Sequence, residues 1–525
     1  MRHQGTTWIV GMALMLLAGT AASGGDGGGG LAKIGSRTQL FVDDYMIQHL
    51  SHAKQVLNPA QKHPNNPLIA TDRPWEGHYL GLSRVFYDEE EGVFKMWYRS
   101  NNDFKVKKGA DITDYKWTEN GVVREKVWSP ESYSFVGNSN GDVWLPLFAT
   151  SRDGVIWEKP SLGKVEFNGS TRNNILPEES RVPTFRDPNA TDPAKRYVSL
   201  GHRRGTRGKP GFMLDLYHSP DGFNWTPYEN NPVVDTSPVP GVWGPTVFMG
   251  WDPIRKVYAA HIESCIHRAC PLGKRLIGRA ESPDLIHWTR DQFIVLPDEH
   301  DSPDTEFYAM AAFDYDGIYL SIIEIFRTTK TWHYPELAMS RDGLHYERNY
   351  REPFIRLGDF GDFDESTVYV FQAPIVHKDK VLVYYYGGNW RGADALHEKG
   401  DKGIFAIGLA TVPRDGFVSV DAGKLHPGRL VTRPVSFQGD GLYVRMEAAK
   451  HNWGSGVPEL RLEILDSNQH PIPGFTMEDS DPIRTSGRHR MSWQGRKDVG
   501  GLEGTPVQLR FHFKNAKLFS FQFQP

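Results

Sequence analysis

Carboxylate side chains are the residues of this sequence whose types and positions could do chemistry. Five acids stand out as catalytic candidates: Glu263, Glu306, Asp364, Asp304 and Glu365. Paired carboxyl groups can protonate a leaving oxygen on one side of a bond and supply a nucleophile or base on the other. We expect Glu263 to be the proton donor, with Glu306 or Asp364 as base or nucleophile. The other two acids are further candidates, because a nearby carboxylate raises the pKa of a proton donor.

A second set of residues could bind the substrate of such chemistry. Aromatic faces pack on the C–H surfaces of sugars, and arginine binds charged substituents such as carboxylate or sulfate. The candidates for this role are Glu76, His78, Arg99, Arg203, Trp243, Glu324, Arg327, Asn389 and Trp390. An exposed acid taken singly is more commonly a surface residue, so the prediction depends on the elements that gather the set.

Those elements come from a motif that the chain repeats. The pattern S-x-D-G-x-x-W occurs at residues 151–157 and 219–225, and three variants follow further along the chain. Asp-Gly between apolar runs is a strong hairpin signal, since glycine tolerates the positive φ of a tight turn. The motif aspartates are therefore predicted to form turns: Asp153, Asp221, Asp284, Asp342 and Asp415. Trp157, Trp225 and Trp288 are predicted to pack between repeats.

Each motif follows a pair of predicted strands, which gives about four strands per repeat. The first pair covers residues 84–87 and 93–98, and the fifth covers residues 371–376 and 381–386. Four-stranded repeats of this length, used five times, are typical of a β-propeller. Residues 39–47 are expected to supply the strand that closes the ring.

The pattern changes after Gly423. The remaining apolar runs predict the strands of a β-sandwich at residues 442–448, 459–465, 489–493, 507–513 and 517–523. The prediction is therefore an all-β chain, with a five-bladed β-propeller at residues 35–424 and a β-sandwich domain at residues 425–525. Trp453 and Trp493 are candidate sugar platforms of the sandwich, with core packing as the favoured role.

Propeller geometry gathers the candidate residues. The innermost strand of each blade begins at the ligand face, and the second strand returns to that face. Residues just before the first strand and at the end of the second strand are therefore expected to line one mouth. The catalytic and binding candidates occupy these two kinds of position.

The hairpin at residues 282–288 (S-P-D-L-I-H-W) resembles the blade hairpin of glycoside hydrolase families 32 and 43. The resemblance implies a five-bladed propeller enzyme that cuts glycosidic bonds, and family 32 implies a C-terminal β-sandwich. Glu263-Ser264-Cys265 loosely echoes the Glu-Cys acid of family 32. Arg186-Asp187-Pro188 has the letters of another family motif, but repeat alignment places Asp187 in the hairpin after the inner strand. We predict a structural role there.

Composition limits the remaining possibilities. The 525 residues carry a formal charge of -4, so no basic excess favours nucleic acid as a partner. Residues 1–23 resemble a secretory signal peptide and residues 24–34 a glycine-rich leader, which predicts a periplasmic or extracellular protein without a membrane span after cleavage. Only Cys265 and Cys270 occur, and the histidines show no metal-binding spacing. We expect no metal and no cofactor.

Three functions fit these observations. An exported glycoside hydrolase is favoured, with a poly- or oligosaccharide as substrate. A glycan-binding propeller without chemistry is the first alternative, because the W-x-N-D-P-N-G-like stretch that holds the family 32 nucleophile is absent. A sialidase-like enzyme is the second alternative. The sequence leaves the sugar, the linkage, the stereochemical outcome and the oligomeric state open.

Overall fold

The chain is built from β-strands. The computed structural model describes residues 30–77, 79–102, 115–119, 122–126, 143–177, 180–204, 212–235, 246–264, 274–289, 292–389, 404–449 and 456–525. Within these ranges it contains two short 3-10 helices, Pro193–Lys195 and Gly500–Leu502, and no α-helix, which confirms the all-β prediction. No helix of this part is long and apolar enough to cross a membrane. The signal peptide, most of the leader, both cysteines and Trp453 lie outside it.

A lead-in segment and two units come first in the chain. The lead-in strands are β1 (Ala32–Gly35), β2 (Gln39–Leu40), β3 (Ile47–Ser51), β4 (Ala53–Leu57) and β5 (Gln61–Lys62). Unit 1 contains β6 (Tyr79–Asp88), β7 (Val93–Asn102), β8 (Tyr115–Glu119), β9 (Val122–Lys126) and β10 (Val143–Ser151). Unit 2 contains β11 (Phe185–Arg186), β12 (Tyr197–Arg204), β13 (Phe212–Ser219), β14 (Thr226–Pro227) and β15 (Val234–Asp235).

Three further units follow. Unit 3 contains β16 (Thr246–Asp252), β17 (Val257–Ser264), β18 (Leu276–Ser282) and β19 (Gln292–Val295). Unit 4 contains β20 (Thr305–Tyr315), β21 (Ile318–Arg327) and β22 (Trp332–Ser340). Unit 5 contains β23 (Thr367–Tyr369), β24 (Ile375–His377), β25 (Lys380–Gly388) and β26 (Phe405–Pro413). The main strands of each unit pair antiparallel with their neighbours.

Proline interrupts one predicted strand. Residues 371–376 do not form a single inner strand in unit 5, since β23 ends at Tyr369 and β24 begins at Ile375. Pro374 has no N–H to give to a ladder, which separates the two pieces. The side chain of Gln372 in this gap accepts a hydrogen bond from the Val85 backbone N–H of unit 1 at 2.7 Å.

Each unit contacts the next, and the fifth contacts the first. β22 pairs parallel with β23, and β26 pairs parallel with β6. Strands β16 and β17 of unit 3 contact β20, and β11 of unit 2 contacts β16. Trp97 of unit 1 packs on Phe223 of unit 2 with ring centroids 5.7 Å apart. The order of contacts is therefore cyclic.

The parallel pairings fix a common direction for several strands. β20, β22, β23, β26 and β6 run the same way along their sheet, whereas β21, β25 and β7 run the opposite way. The first residues of β6, β20 and β23 therefore share one edge with the last residues of β7, β21 and β25. We call this the shared edge; it is where the sequence predicts the functional residues to gather.

The repeated motif forms the turn that its sequence predicts. In unit 2 the Asp221 carboxylate accepts backbone N–H groups of Phe223 and Asn224, both at 2.8 Å, while the Ser219 hydroxyl accepts the Gly222 N–H at 2.9 Å. The same bonds recur around Asp153 and Asp342, and around Asp284 without the glycine. The turn-forming role of these aspartates is confirmed.

The hairpin aspartate Asp187 has a structural partner. Both of its carboxylate oxygens accept the Tyr258 hydroxyl of unit 3 at 3.0 Å. In the next unit Asp252 accepts the Tyr319 hydroxyl at 2.8 Å in the same way. An aspartate after one inner strand thus anchors a tyrosine of the following unit, which confirms the structural role predicted for Asp187.

The C-terminal strands form two main sheets on one core. They are β27 (Val418–Ala422), β28 (Gly428–Thr432), β29 (Val435–Phe437), β30 (Gly441–Ala448), β31 (Glu459–Leu465), β32 (Gly487–Arg490), β33 (Gln508–Lys514) and β34 (Ala516–Gln524). One sheet has the order β32-β30-β34-β27-β4 and the other β3-β28-β33-β31, and their apolar side chains share a single buried cluster. Trp493 lies in that cluster and donates to the Leu462 carbonyl at 2.8 Å, so it packs the core.

The lead-in segment divides between these sheets and unit 5. Strands β2, β3 and β4 pair with β34, β28 and β27. Residues 39–47 therefore do not add a strand to the last unit as the sequence prediction had it. The added strand is β5, which pairs antiparallel with β26. Its two residues are polar and half-buried or exposed, so no apolar pattern marks them.

Removing one turn aspartate should destabilise the fold. Asp221→Ala deletes the acceptor of two backbone N–H groups, and hydrogen bonds to a charged group contribute about 1.5–3 kcal/mol. We expect a fall of about 1–3 kcal/mol in the free energy of unfolding, measured by denaturant titration. Glu229→Ala, at an exposed position of the same unit, is the control. An Asp221→Ala protein as stable as the control would contradict the role of the turn.

Candidate functional site

Two of the predicted acids meet at one arginine. Glu263 lies at the end of β17, and Glu306 is the second residue of β20 in the next unit. Arg275, just before β18, donates from Nε to Glu263 at 2.7 Å and from Nη1 to Glu306 at 2.5 Å. One guanidinium group therefore bridges carboxylates from two units. We call these three residues the bridged acid pair.

Burial sets the electrostatics of Glu263. Its side chain is 3% exposed, and the loss of solvation raises its pKa from 4.5 to about 7. The positive charge of Arg275 lowers the pKa, and the negative charge of Glu306 raises it. Glu306 is more accessible than Glu263. The pair thus holds one acid that carries its proton near neutral pH beside a second acid that solvent reaches.

Aromatic rings surround the bridged acid pair. The guanidinium of Arg275 lies over the rings of Phe326 and Tyr308, at 5.4 and 6.0 Å from their centroids. Tyr308 occupies a register shift in β20, and such bulges re-aim side chains next to functional sites. From Tyr308 the ring contacts continue to Tyr369 and Phe371 at 5.6 and 6.2 Å. Tyr308 and Phe371 are half-buried, which leaves ring surface at the site.

Two buried polar residues lie behind these rings. Glu324 is 0% exposed, and its Oε2 accepts the Val370 N–H at 3.1 Å, whereas its Oε1 has no hydrogen-bond partner among the residues that the structure describes. Burial raises the pKa of Glu324 well above its usual value, which favours its protonated form. His333 stacks on Phe326 at 4.2 Å, and burial with the charge of Arg275 lowers its pKa to about 3. His333 is therefore uncharged at pH 7, and burial favours the uncharged form of Glu324 as well.

Asp304 and Arg327 form a separate ion pair. They lie at the start of unit 4 and at the end of β21, as the sequence analysis placed them, with Nη2 of Arg327 2.7 Å from Asp304 Oδ1. Arg327 also donates to the Ser302 hydroxyl at 2.9 Å. Hydrogen bonds from Arg327 and Thr329 hold the pKa of Asp304 well below its usual range. An acid ionised at all ordinary pH values cannot serve as a proton donor.

The acids before β23 have other partners. Asp364 is buried, forms an ion pair with Lys62 of β5 at 2.6 Å, and accepts the Tyr385 hydroxyl at 2.7 Å. Glu365 is half-buried and accepts the Gly361 N–H at 2.6 Å. The contacts of Asp364 join the lead-in strand to unit 5 and do not include Arg275.

The remaining binding candidates are dispersed. Glu76 is fully buried and bound to Lys159 at 2.7 Å and to the Tyr98 hydroxyl at 2.8 Å. The Asn389 side chain accepts the Ile404 N–H at 2.6 Å, and Arg99 is exposed on β7. His78, Trp243, Trp390 and the side chain of Arg203 lie outside the described residues.

Sequence reasoning missed Arg275, His333 and Tyr308. The sequence prediction placed functional residues only at the starts of first strands and at the ends of second strands. In an antiparallel unit, however, the third strand begins beside the end of the second, so a residue just before β18 lies next to Glu263. That signal could have found Arg275. His333, near the start of β22, is accessible to the same argument.

Comparisons with known proteins found similar solved structures but no matching family. No protein-family model matches the chain, and no curated protein matches it. Similar solved structures include a glycosyl hydrolase from Bacteroides ovatus, 16% identical, covering 68% of this chain and 94% of that chain, with a TM-score of 0.39. A β-1,2-mannobiose phosphorylase from Listeria innocua is 13% identical over 67% of this chain and 96% of that chain, with a TM-score of 0.37.

An N-acetylgalactosamine deacetylase from F. plautii is 12% identical over 70% of this chain and 97% of that chain, with a TM-score of 0.39. The names of all three refer to carbohydrates but to three different reactions. At these identities and TM-scores, the likeness assigns no family and no activity to this chain.

The raised pKa of Glu263 makes a prediction for stability. A carboxyl whose folded pKa lies above its unfolded value stabilises the fold below pH 4.5 and loses that contribution as pH rises through about 7. Glu263→Gln removes this titration. Between pH 4.5 and 7.5 the unfolding free energy of the wild type should therefore fall by about 3 kcal/mol relative to the variant.

Thermal unfolding of both proteins across this pH range measures the difference. Glu299→Gln, an exposed acid in the loop before β20, should follow the wild type at every pH. If the gap between wild type and Glu263→Gln stayed constant with pH, the pKa of Glu263 would not be raised.

Proposed function

We propose that the five units form a five-bladed β-propeller and that the C-terminal sheets form a β-sandwich. The cyclic order of contacts between the units supports the propeller, as does the added strand β5 on the last unit. Two sheets on one core support the sandwich, and residues 32–57 contribute strands to it. Residues 1–23 are proposed to direct export to the periplasm or the cell exterior.

We further propose that the protein is an enzyme that hydrolyses glycosidic bonds at the bridged acid pair. The observation that carries this proposal is the meeting of two carboxyl groups at Arg275, one of them with a pKa near 7. A general acid works best when its pKa lies near the working pH. Glycoside hydrolysis uses two carboxyl groups, one of which must donate a proton, and burial gives Glu263 the raised pKa that this task needs.

Each residue then has a defined task. Glu263 transfers its proton to the glycosidic oxygen as the bond from that oxygen to the anomeric carbon breaks. Glu306 either attacks the anomeric carbon or takes a proton from the water molecule that attacks it. Arg275 orients both carboxyl groups, and the substrate has to displace it from at least one of them. The half-buried faces of Tyr308 and Phe371 are proposed to bind the sugar ring.

Asp304, Asp364 and Glu365 have supporting places in this proposal. Asp304 holds Arg327 at the shared edge, and Asp364 fixes strand β5 through Lys62. Glu324 is fully buried and accepts the Val370 N–H, so it is given no contact with substrate. The catalytic step is therefore assigned to Glu263 and Glu306 alone.

A glycan-binding protein without chemistry is the second candidate. It is favoured by one specific observation: Arg275 engages oxygens of both carboxylates, which a reaction would need to have free. In that case the bridged acid pair forms a fixed polar surface at the base of a binding site. A hydrolase would release cleavage products from the glycan, whereas a glycan-binding protein would not.

Turnover by matched variants tests the proposal. Wild type, Glu263→Gln and Glu306→Gln are compared on a panel of neutral and acidic poly- and oligosaccharides, with and without inorganic phosphate. Loss of a positioned acid or base costs about 10²- to 10⁴-fold in rate, so both variants should lose turnover by that factor while still binding the glycan. Glu299→Gln, an exposed loop acid, should keep wild-type turnover.

Three results would contradict the proposal. Binding without cleavage by the wild type would make the protein a glycan receptor. Cleavage that survives in both glutamine variants would remove the bridged acid pair from the reaction. Turnover that requires phosphate would replace hydrolysis by phosphorolysis at the same site.

A further inference from the structure

Arg99 of unit 1 and Arg181 of unit 2 belong to segments that pack together, because Trp97, two residues before Arg99, shares a buried cluster with Val182, which follows Arg181. Arg99 lies near the end of β7, opposite Gly81 at the start of β6, and therefore at the shared edge. Arg181 lies just before β11 of the next unit. Its guanidinium covers the ring of Tyr217 at 4.2 Å, and Nη2 donates to the Tyr217 hydroxyl at 2.7 Å. This stacking fixes the direction of the Arg181 side chain.

Arg99 and Arg181 differ from the other arginines near the shared edge in whether a carboxylate neutralises their charge. Arg275 pairs with Glu263 and Glu306, and Arg327 pairs with Asp304. In the part of the chain that the structure describes, no ion pair joins Arg99 or Arg181 to a carboxylate. The side chain of Arg99 is exposed to solvent. Desolvation by the protein atoms around it lowers its pKa, and the positive charge of Arg181 lowers it further.

The backbone beside Arg181 leaves room for its guanidinium. Gly201 of β12 would carry a Cβ only 3.3 Å from Arg181 Nη1, so a larger residue would press on the charged group. Two adjacent guanidinium groups repel each other, and a bound anion relieves that repulsion through charge-assisted hydrogen bonds. Arginine forms such bonds with carboxylate, sulfate and phosphate oxygens in a fixed fork geometry.

We propose that Arg99 and Arg181 form a subsite for an oxyanion, so that the glycan of the proposed function carries carboxylate or sulfate groups. This inference rests on that proposed function for its substrate class. The subsite is proposed to recognise the oxygens of an oxyanion, and free phosphate would present the same kind of oxygens. The bridged acid pair would act on the bond, and the arginine pair would select the acidic substituent.

Matched ligands and variants test the subsite. A galacturonic acid oligosaccharide and its carboxyl-reduced neutral counterpart are titrated into wild type, Arg99→Gln and Arg181→Gln by calorimetry, and inorganic phosphate is titrated separately. We expect the wild type to bind the acidic glycan at least about tenfold more tightly than the neutral one. Both variants should lose that preference, and Arg172→Gln, at an exposed position, should keep it.

The outcomes separate the subsite from the catalytic proposal. Phosphate that binds the wild type and not the variants, with no preference between the glycans, would assign the oxyanion to free phosphate. An arginine-dependent preference without any cleavage would support the subsite and contradict the hydrolase. Equal binding of acidic and neutral glycans in all proteins, with no phosphate binding, would overturn the subsite even if cleavage occurs. Arg181→Lys, which keeps the charge, guards against a variant that fails to fold.

Discussion

The ion pairs of one guanidinium hold the candidate site together. Arg275 bonds to carboxylates from two different units, and the backbone carbonyl of the same residue accepts the Phe307 N–H. Removing one member of such a partly buried cluster leaves an uncompensated charge, which is costly. The positions of Glu263 and Glu306 relative to each other therefore depend on a residue that belongs to a third strand. Everything proposed for the chemistry depends on this contact.

The strand directions place Glu306 at the shared edge, and Arg275 links Glu263 of unit 3 to it. Parallel pairing of β22 with β23 and of β26 with β6 brings the starts and ends of strands from three units to one edge. Structural side chains anchor the units elsewhere, as the Asp187–Tyr258 and Asp252–Tyr319 bonds do after the inner strands. These two bonds between units therefore lie at the opposite end of the strands from the bridged acid pair.

The repetitive part of this architecture was accessible to sequence reasoning. A period-two apolar pattern and an Asp-Gly turn are local signals, so the paired strands and the turns around Asp153 or Asp221 could be read directly. The sequence prediction put Glu263 at the end of a second strand and Glu306 before a first strand, and it expected both kinds of position to line one mouth. An ion pair between residues far apart in the sequence has no local signal, so the contact of Lys62 with Asp364 could not be read in that way. Arg275 was accessible only through its position beside the end of β17. The strand Gln61–Lys62 escaped notice because two polar residues form no pattern.

The protonation of Glu263 is the central physical claim, and its direct measurement is a carboxyl titration. Selective ¹³C labelling of glutamate, with the Glu263 signal assigned by its loss in Glu263→Gln, would follow the group by NMR. The structure leads us to expect a pKa of about 7 in the wild type and a lower value in Glu306→Gln, because the variant lacks the negative charge that raises it. A wild-type pKa near 4.5, unchanged in Glu306→Gln, would contradict the account of the acid pair.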